Sequence, residues 1–365
     1  MVFKSMVYDI VIVGAGPAGS NLARLLSTRT DYSVCLVDKR RLDEHVDEKR
    51  RKACGGLLSP DAQHMLAKLG LTIPVSILED PQLFSVRTID FDNGLDCHYQ
   101  RFYYNMDREK FDRYLFNLIP ESVTKVCGAV VKGAKRTDLF WSIEVEHASQ
   151  KTIKGNYLVV ADGANSLLRK NLLSGQRSPK KYISIQKWYP MTKDMPYYTG
   201  IFDSDVTDYY SWTIQKDSSL ILGTAVPLGE NAHEKFELLR SKTAKYLDLP
   251  LDEPVRTEGA FIERTMHLKD LKWNGDGFAI IGEAAGATSP TSAEGFSYAL
   301  KSSLYLAEEL CEGFENIGER YRRRCRKIAL NILGKQLKSP AMYQKNIRKM
   351  VIKSGVTAMN MSEKG

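Results

Sequence analysis

The sequence predicts an α/β fold: a parallel, helix-wound sheet interrupted by a second, antiparallel sheet and followed by a C-terminal helical segment. Three observations predict it. A short β-branched run, Tyr8-Asp9-Ile10-Val11-Ile12-Val13, leads directly into a glycine-rich turn. Buried-strand patterns recur far apart in the chain, at Val34-Cys35-Leu36-Val37, Tyr157-Leu158-Val159-Val160 and Phe278-Ala279-Ile280-Ile281. Between about 180 and 272 the texture changes to strand-like segments rich in Tyr and Trp.

The turn after the first strand reads Gly14-Ala15-Gly16-Pro17-Ala18-Gly19. The first Gly permits a tight turn, the second lets the backbone approach a pyrophosphate, and the third lets helix pack on strand. Leu22, Leu25 and Leu26 follow at helical spacing, and the second strand ends at Asp38. This order of strand, turn, helix, strand and acid is a Rossmann-like unit that predicts a bound dinucleotide. The helix start offers free N–H groups to phosphates, and Asp38 would accept from ribose hydroxyls. Lys39 and Arg40 are candidates for the same region.

Further along, Ser59-Pro60-Asp61 reads as the start of a helix stopped by Gly70. Asp107 is a candidate cap for a helix with Phe111, Leu115 and Leu118 on one face. Residues 123–160 alternate short strands with polar turns. Strands are expected at Tyr209–Ile214 and Leu220–Thr224. A helix from about Glu294 carries Phe296, Ala299, Leu300, Leu304 and Ala307 on an apolar face.

Composition narrows the function classes. The 365 residues are 43% hydrophobic and 26% charged, which excludes disordered, collagen-like and coiled-coil chains. Six Cys without a C-x-x-C pair fit neither a disulfide scaffold nor a zinc ribbon. The His residues lack metal-ligand spacing, so no metal is expected. No apolar run reaches the ~20 residues of a membrane span. Reduced thiols and the absence of a signal-peptide pattern predict a cytoplasmic protein. The net charge of +8 is unevenly placed: residues 313–365 hold 13 Lys/Arg against 3 Asp/Glu, and the body is near neutral. Nucleic acid is therefore not an expected partner. The stretch from Arg320 to Lys327 is either a solvated helix or a basic surface that meets anionic membrane.

Two later motifs extend the first. Ala161-Asp162-Gly163 ends one buried strand, and Gly282-Glu283-Ala284-Ala285-Gly286 ends another, followed by Pro290 and Glu294-Gly295-Phe296. With them come Cys54-Gly55-Gly56, Arg108-Glu109-Lys110-Phe111-Asp112 and Tyr210-Ser211-Trp212-Thr213-Ile214-Gln215. In this order the set resembles the p-hydroxybenzoate hydroxylase group of FAD proteins and, within it, the geranylgeranyl reductase family, from about residue 7 to 312. There are two departures. Glu283 stands where the family usually has Asp, and Ile214-Gln215 stand where it has Phe-Pro.

The resemblance implies FAD as cofactor, held by Gly14, Gly16, Pro17, Ala18, Gly19, Asp38, Lys39, Arg40, Cys54, Gly55, Arg108, Asp162, Gly163, Gly282, Glu283, Gly286, Gly295 and Phe296. The helix start beyond Gly286 would face the flavin pyrimidine edge and favour negative charge there. Cys54 is either a group acting on substrate or a small buried hydrophobe. Tyr210 and Trp212 either line a substrate channel or fill strand core. The expected plan is an FAD-binding domain at 1–82, 101–178 and 273–312, a substrate domain at 83–100 and 179–272, and the basic helical segment 313–365. The implied activity is reduction of C=C bonds in an apolar, isoprenoid-like small molecule, with NAD(P)H or a reduced redox protein as donor. The alternatives are an FAD monooxygenase, a halogenase-like enzyme, and a non-catalytic flavin module at a membrane.

Overall fold

The structure is a computed structural model and describes residues 6–44, 52–355 and 358–359. The ends of the expected N-terminal domain and C-terminal segment fall outside those residues. From the N-terminus, β1 (Val7–Val13), α1 (Pro17–Arg29) and β2 (Val34–Asp38) form the βαβ unit. Next are β3 (Leu57–Leu58), α2 (Pro60–Lys68), β4 (Leu83–Asp90), β5 (Leu95–Asn105) and α3 (Arg108–Asn117). They are followed by β6 (Thr124–Cys127), β7 (Val130–Arg136), β8 (Trp141–Glu146), β9 (Thr152–Val160) and α4 (Leu167–Leu172). Then come β10 (Lys180–Pro190), β11 (Tyr198–Phe202), β12 (Ser211–Lys216), β13 (Ser219–Pro227), α5 (Ala232–Leu247) and β14 (Arg256–Arg264). The chain continues with β15 (Asn274–Gly275), β16 (Phe278–Ile280), α6 (Phe296–Cys311), α7 (Ile317–Tyr343), α8 (Lys345–Ser354) and β17 (Ala358–Met359).

Two compact units result. Of the described residues, the first takes those up to 44, 109–179 and 265–333, and the second 52–108, 180–264 and those from 334 on. These boundaries differ from those expected. β5 runs unbroken through residue 100 and pairs with both β4 and β3, so it carries residues 52–82 and 101–108 into the second unit. The C-terminal segment is no separate body, because its residues are shared between the two units.

The first unit is built on a sheet of order β15-β16-β9-β1-β2-β6, with the β7–β8 hairpin joined to β9. β1 runs parallel to β2 and β9, β16 parallel to β9, and β6 parallel to β2. Ile10, Val11 and Ile12 are fully buried, as a parallel strand covered on both faces requires. α1 and α6 are joined where Asn21 Nδ2 donates to Ser303 Oγ at 2.8 Å.

The second unit holds the order β14-β10-β13-β12-β11-β4-β5-β17, with β3 on β5. Its strands pair antiparallel except β11 with β4. Strand register assigns two faces. One face packs Ile201, Leu220, Leu222 and Tyr189 against Phe236, Leu239 and Leu247 of α5. The helix α5 has no counterpart in the sequence reading, which saw only strands there. It starts where the Asn231 side chain accepts from Glu234 N at 3.3 Å. The opposite face is taken up below.

Candidate functional site

In the first unit three strand ends converge. Gly14 sits at φ +109°, where L side chains are strained, and a Cβ there would lie 2.2 Å from Ala161 O, so the ends of β1 and β9 touch backbone to backbone. A Cβ on Gly282, at the end of β16, would approach Ala18 Cβ to 3.0 Å. The turn between is narrow: a Cβ on Gly19 would fall 1.8 Å from Gly14 O. Gly16, by contrast, has nothing within 4 Å of its Cβ position and caps α1 without any side-chain hydrogen bond. Pro17 has no N–H to lose. The arrangement leaves open backbone at the positive end of α1.

Asp38, at the end of β2, is nearly buried. Its Oδ2 accepts from Ala15 N at 2.6 Å and its Oδ1 from Arg40 N at 2.7 Å. Arg40 bridges carboxylates: Nη1 lies 2.8 Å from Asp112 Oδ2 and Nε 3.4 Å from Asp38 Oδ1, and Nη2 donates to Ala15 O at 3.3 Å. Its position braces the glycine turn. Lys39 points into solvent.

Asp162 Oδ2 accepts from Leu168 N at 3.3 Å, while its buried Oδ1 has no hydrogen-bond partner among the described residues. Burial pushes its pKa up. Gly163 lies at φ +80° with open space around it. Glu283 is the second residue of the short 3-10 turn Gly282–Ala285, which ends at Gly286 in the left-handed region. Sequence reading missed the residue that fixes this turn. Arg169, 3% exposed on α4, donates Nη1 to Ala284 O at 2.9 Å. The available signal was Ser166, whose Oγ caps Arg169 N at 3.0 Å.

The start of α6 departs from expectation. Glu294 accepts from Ser297 N at 2.7 Å and from Ser297 Oγ at 2.8 Å. Its carboxylate occupies one of the helix's first N–H groups and partly neutralises the dipole expected to face the flavin. Gly295 caps the helix. Phe296 is buried against Phe111, ring centroids 5.5 Å apart.

In the second unit, register places Trp188, Ile214, Tyr198 and Tyr99 in one row of the face opposite α5. The next row holds Glu258, Gln186, Gly223, Trp212 and Gly200. The rings adjoin: Tyr103 to Tyr198 at 5.7 Å, Tyr210 to Trp212 at 5.7 Å, with Tyr198 and Tyr210 hydrogen-bonded through their hydroxyls. The Trp212 indole lies over Gly223, where a Cβ would come within 2.4 Å of it, and its buried N–H has no acceptor among the described residues. Tyr210 and Trp212 are thus neighbours in an aromatic wall and also largely buried, at 8% and 7% exposure.

The Cys54 segment lies on this face. A Cβ on Gly55 would strike Ile214 Cδ1 at 2.6 Å, and Gln186 Nε2 reaches Cys54 O at 3.5 Å. The departure from Phe-Pro therefore has a structural reading: Ile214 supports the glycine loop, while Gln215 turns to the other face and accepts from Met195 N at 2.8 Å. Gly56 is at φ +61°, with Met106 O 2.1 Å from its Cβ position. Cys54 Sγ accepts from Gly56 N at 3.4 Å and lies 3.6 Å from Arg108 Nη1. Arg108 belongs to this unit rather than to the nucleotide-type sheet. A second residue missed in the sequence is Lys216. Buried on β12, it pairs with Glu79 at 3.1 Å and donates to Met106 O at 2.7 Å and Gly56 O at 3.3 Å. It ties down both flanks of the loop, and burial lowers its pKa.

Comparison with known proteins places this geometry. The family described as "Lycopene cyclase protein" matches residues 9–332. The chain belongs to that family. Protein CbrA of Escherichia coli O6:H1 is 37% identical over 350 residues, covering 96% of this chain and 94% of CbrA. Solved structures share the fold. A geranylgeranyl bacteriochlorophyll reductase-like protein of Thermoplasma acidophilum superposes with TM-score 0.81 at 16% identity, covering 96% of this chain and 91% of that one. PqsL of Pseudomonas aeruginosa, a probable FAD-dependent monooxygenase, gives 0.69 at 17% identity, covering 95% of this chain and 100% of that one. The fold is thus that of FAD-dependent oxidoreductases, and the likeness to geranylgeranyl reductases lies at the level of fold.

Proposed function

We propose that this protein is an FAD-dependent oxidoreductase that reduces C=C bonds of an apolar, isoprenoid-like substrate. The observation that carries the reading is the convergence of Gly14, Ala161 and Gly282 beside an uncapped helix start and a clamped Asp38. The open lane at Gly16 and the unsatisfied Oδ1 of Asp162 fit a dinucleotide with hydroxyl donors. The α1 N–H groups would hold the diphosphate, Asp38 the adenosine ribose, and Asp162 and Glu283 hydroxyl-bearing parts of the cofactor. When bound, FAD supplies two-electron chemistry, passing hydride equivalents from a donor to a substrate carbon. NAD(P)H or a reduced redox protein would be that donor.

The chain's own residues do the rest. Arg40 and Arg169 hold the two turns rigid. The wall of Tyr103, Tyr198, Tyr210 and Trp212 offers apolar area and excludes water from a hydrocarbon. Lys216 fixes the Cys54 loop, and the Cys54 thiol is the candidate proton donor to the second alkene carbon. The names lycopene cyclase and geranylgeranyl reductase-like support a polyene or prenyl substrate. PqsL supports a second reading, monooxygenation.

Release and mass analysis of FAD from purified protein tests the cofactor. Anaerobic reduction followed by a prenyl alcohol, with oxygen admitted in a second arm, then distinguishes the reactions: saturation without oxygen supports the reductase, and incorporation of the admitted oxygen supports the monooxygenase. The basic segment is proposed to touch anionic membrane from a protein resident in the cytoplasm. Among the described residues no helix is long and apolar enough to cross a membrane.

A further inference from the structure

Two helix starts meet at the strand ends of the first unit, and they differ. Gly282 lies between them: a Cβ there would come within 3.0 Å of Ala18 in the first turn of α1 and 3.6 Å of Ala299 in the first turn of α6. The helices run side by side in one direction, since about a turn further on Asn21 bonds Ser303. Both therefore bring the positive ends of their dipoles to the same strand ends. The α1 start has no side-chain cap and no acid in its first turn. The α6 start is covered by a carboxylate from the loop ahead of the helix. Glu294 accepts from Ser297 N at 2.7 Å and from Ser297 Oγ at 2.8 Å. Ala293, just before it, stands at φ +50°, a left-handed conformation that strains an L residue, so the acid is held there at a cost. Glu294 is partly buried, where charges interact more strongly than in water. One start is thus open to an anion, and the other already carries one.

FAD has one part that is anionic in both redox states, the diphosphate, and one that becomes anionic only on two-electron reduction, the N1–C2=O edge of the flavin. The open α1 start suits the first. We infer that Glu294 disfavours negative charge on the second and thereby holds the reduction potential of the bound flavin low. This rests on the reading of these strand ends as the place where FAD binds, with the flavin toward α6. Oxidised FAD takes up two electrons with one proton to give the N1 anion, or two electrons with two protons to give the neutral form. A carboxylate at the α6 start raises the free energy of the anion and leaves the neutral form as the product of reduction. A lower potential makes the reduced cofactor a stronger hydride source, which suits an alkene that no neighbouring carbonyl activates.

The test is an anaerobic spectroelectrochemical titration of the full-length, FAD-loaded protein at fixed pH and ionic strength. Glu294→Gln keeps an acceptor for Ser297 and removes the charge. Its midpoint should rise by about 30 mV or more, equivalent to a tenfold gain in affinity for reduced over oxidised FAD. Affinity for oxidised FAD, measured by equilibrium dialysis, should stay near the parental value. Glu294→Asp keeps the charge and should hold the parental midpoint. Ser297→Ala removes one partner of the cap but not the charge, and should hold it too, which separates the field of the carboxylate from the integrity of the helix start. If Glu294→Gln does not retain FAD, Glu294→Ser, a short neutral cap, is read in its place with the same rise expected. An unchanged or lowered midpoint in the neutral variants, or an equal rise in Ser297→Ala, would overturn the inference and leave the oxidoreductase reading standing. Parent protein that takes up no FAD would sink both.

Discussion

Asp38 accepts a 2.6 Å hydrogen bond from the backbone N–H of Ala15, in the middle of the glycine turn. One carboxylate thereby sets the turn's shape and stands ready for a ribose. Asp38→Ala should weaken FAD retention by about 10- to 100-fold, the range of one or two charge-assisted hydrogen bonds. Equilibrium dialysis against free FAD measures it, and retention at the parental level would contradict the assignment.

Arg40 is only 18% exposed and Asp112 is fully buried. Arg40→Met removes the arginine charge from that carboxylate and should cost about 3–5 kcal/mol in urea unfolding. The double variant Arg40→Met/Asp112→Leu should recover only part of the loss, because Asp38 and Glu109, both buried, still lack the arginine.

Gly56 and Gly70 share a left-handed backbone, φ +61° and +66°, but only Gly56 faces Met106 O. Gly70→Ala should cost about 1–2 kcal/mol from backbone strain alone. Gly56→Ala should cost more and reduce turnover, since the Cys54 loop must move. Equal effects of the two changes on stability and rate would show that the close approach is unimportant.

Burial lowers the Lys216 pKa below its ordinary 10.5. Between the lowered value and 10.5 the unfolded chain holds a proton that the folded chain lacks, so this residue makes stability rise with pH across that window. Below the window both states are protonated and the full cost of burial is felt. Subtracting the stability–pH curve of Lys216→Met from that of the parent should expose this slope; parallel curves would refute it.

On α7, Arg320 pairs with Glu309 at 3.1 Å and Arg323 with Glu319 at 2.9 Å, and Arg324 also meets Glu309 at 3.1 Å. Much of the basic run is therefore spent within the fold. Arg322, Arg326 and Lys327 are exposed. If the segment meets lipid, reversing these three charges should reduce co-sedimentation with phosphatidylglycerol vesicles several-fold, and high salt should do the same to the parent.

The nucleotide-type half was legible because its chemistry is local. Gly14 through Asp38 announce a turn and an acid by spacing alone, and Ser59 and Gly70 bound their helix as read. The second unit was less legible because its contacts are long-range. Nothing near Lys216 in sequence announces Glu79. The helix α5 was hidden in a region whose Tyr- and Trp-rich strands dominated the pattern. The boundaries differ because β5 runs through residue 100 and pairs with both β3 and β4.

Gly223 lies directly beneath the Trp212 indole. Adding one methyl there would lift the ring off the sheet, whereas trimming the ring would deepen the trough beside it. The clearance above β13 is consequently adjustable in steps of a single carbon, at a place remote in sequence from the glycine turn. Relatives could diverge in the chain length or branching they accept through this pair alone, with cofactor handling left intact.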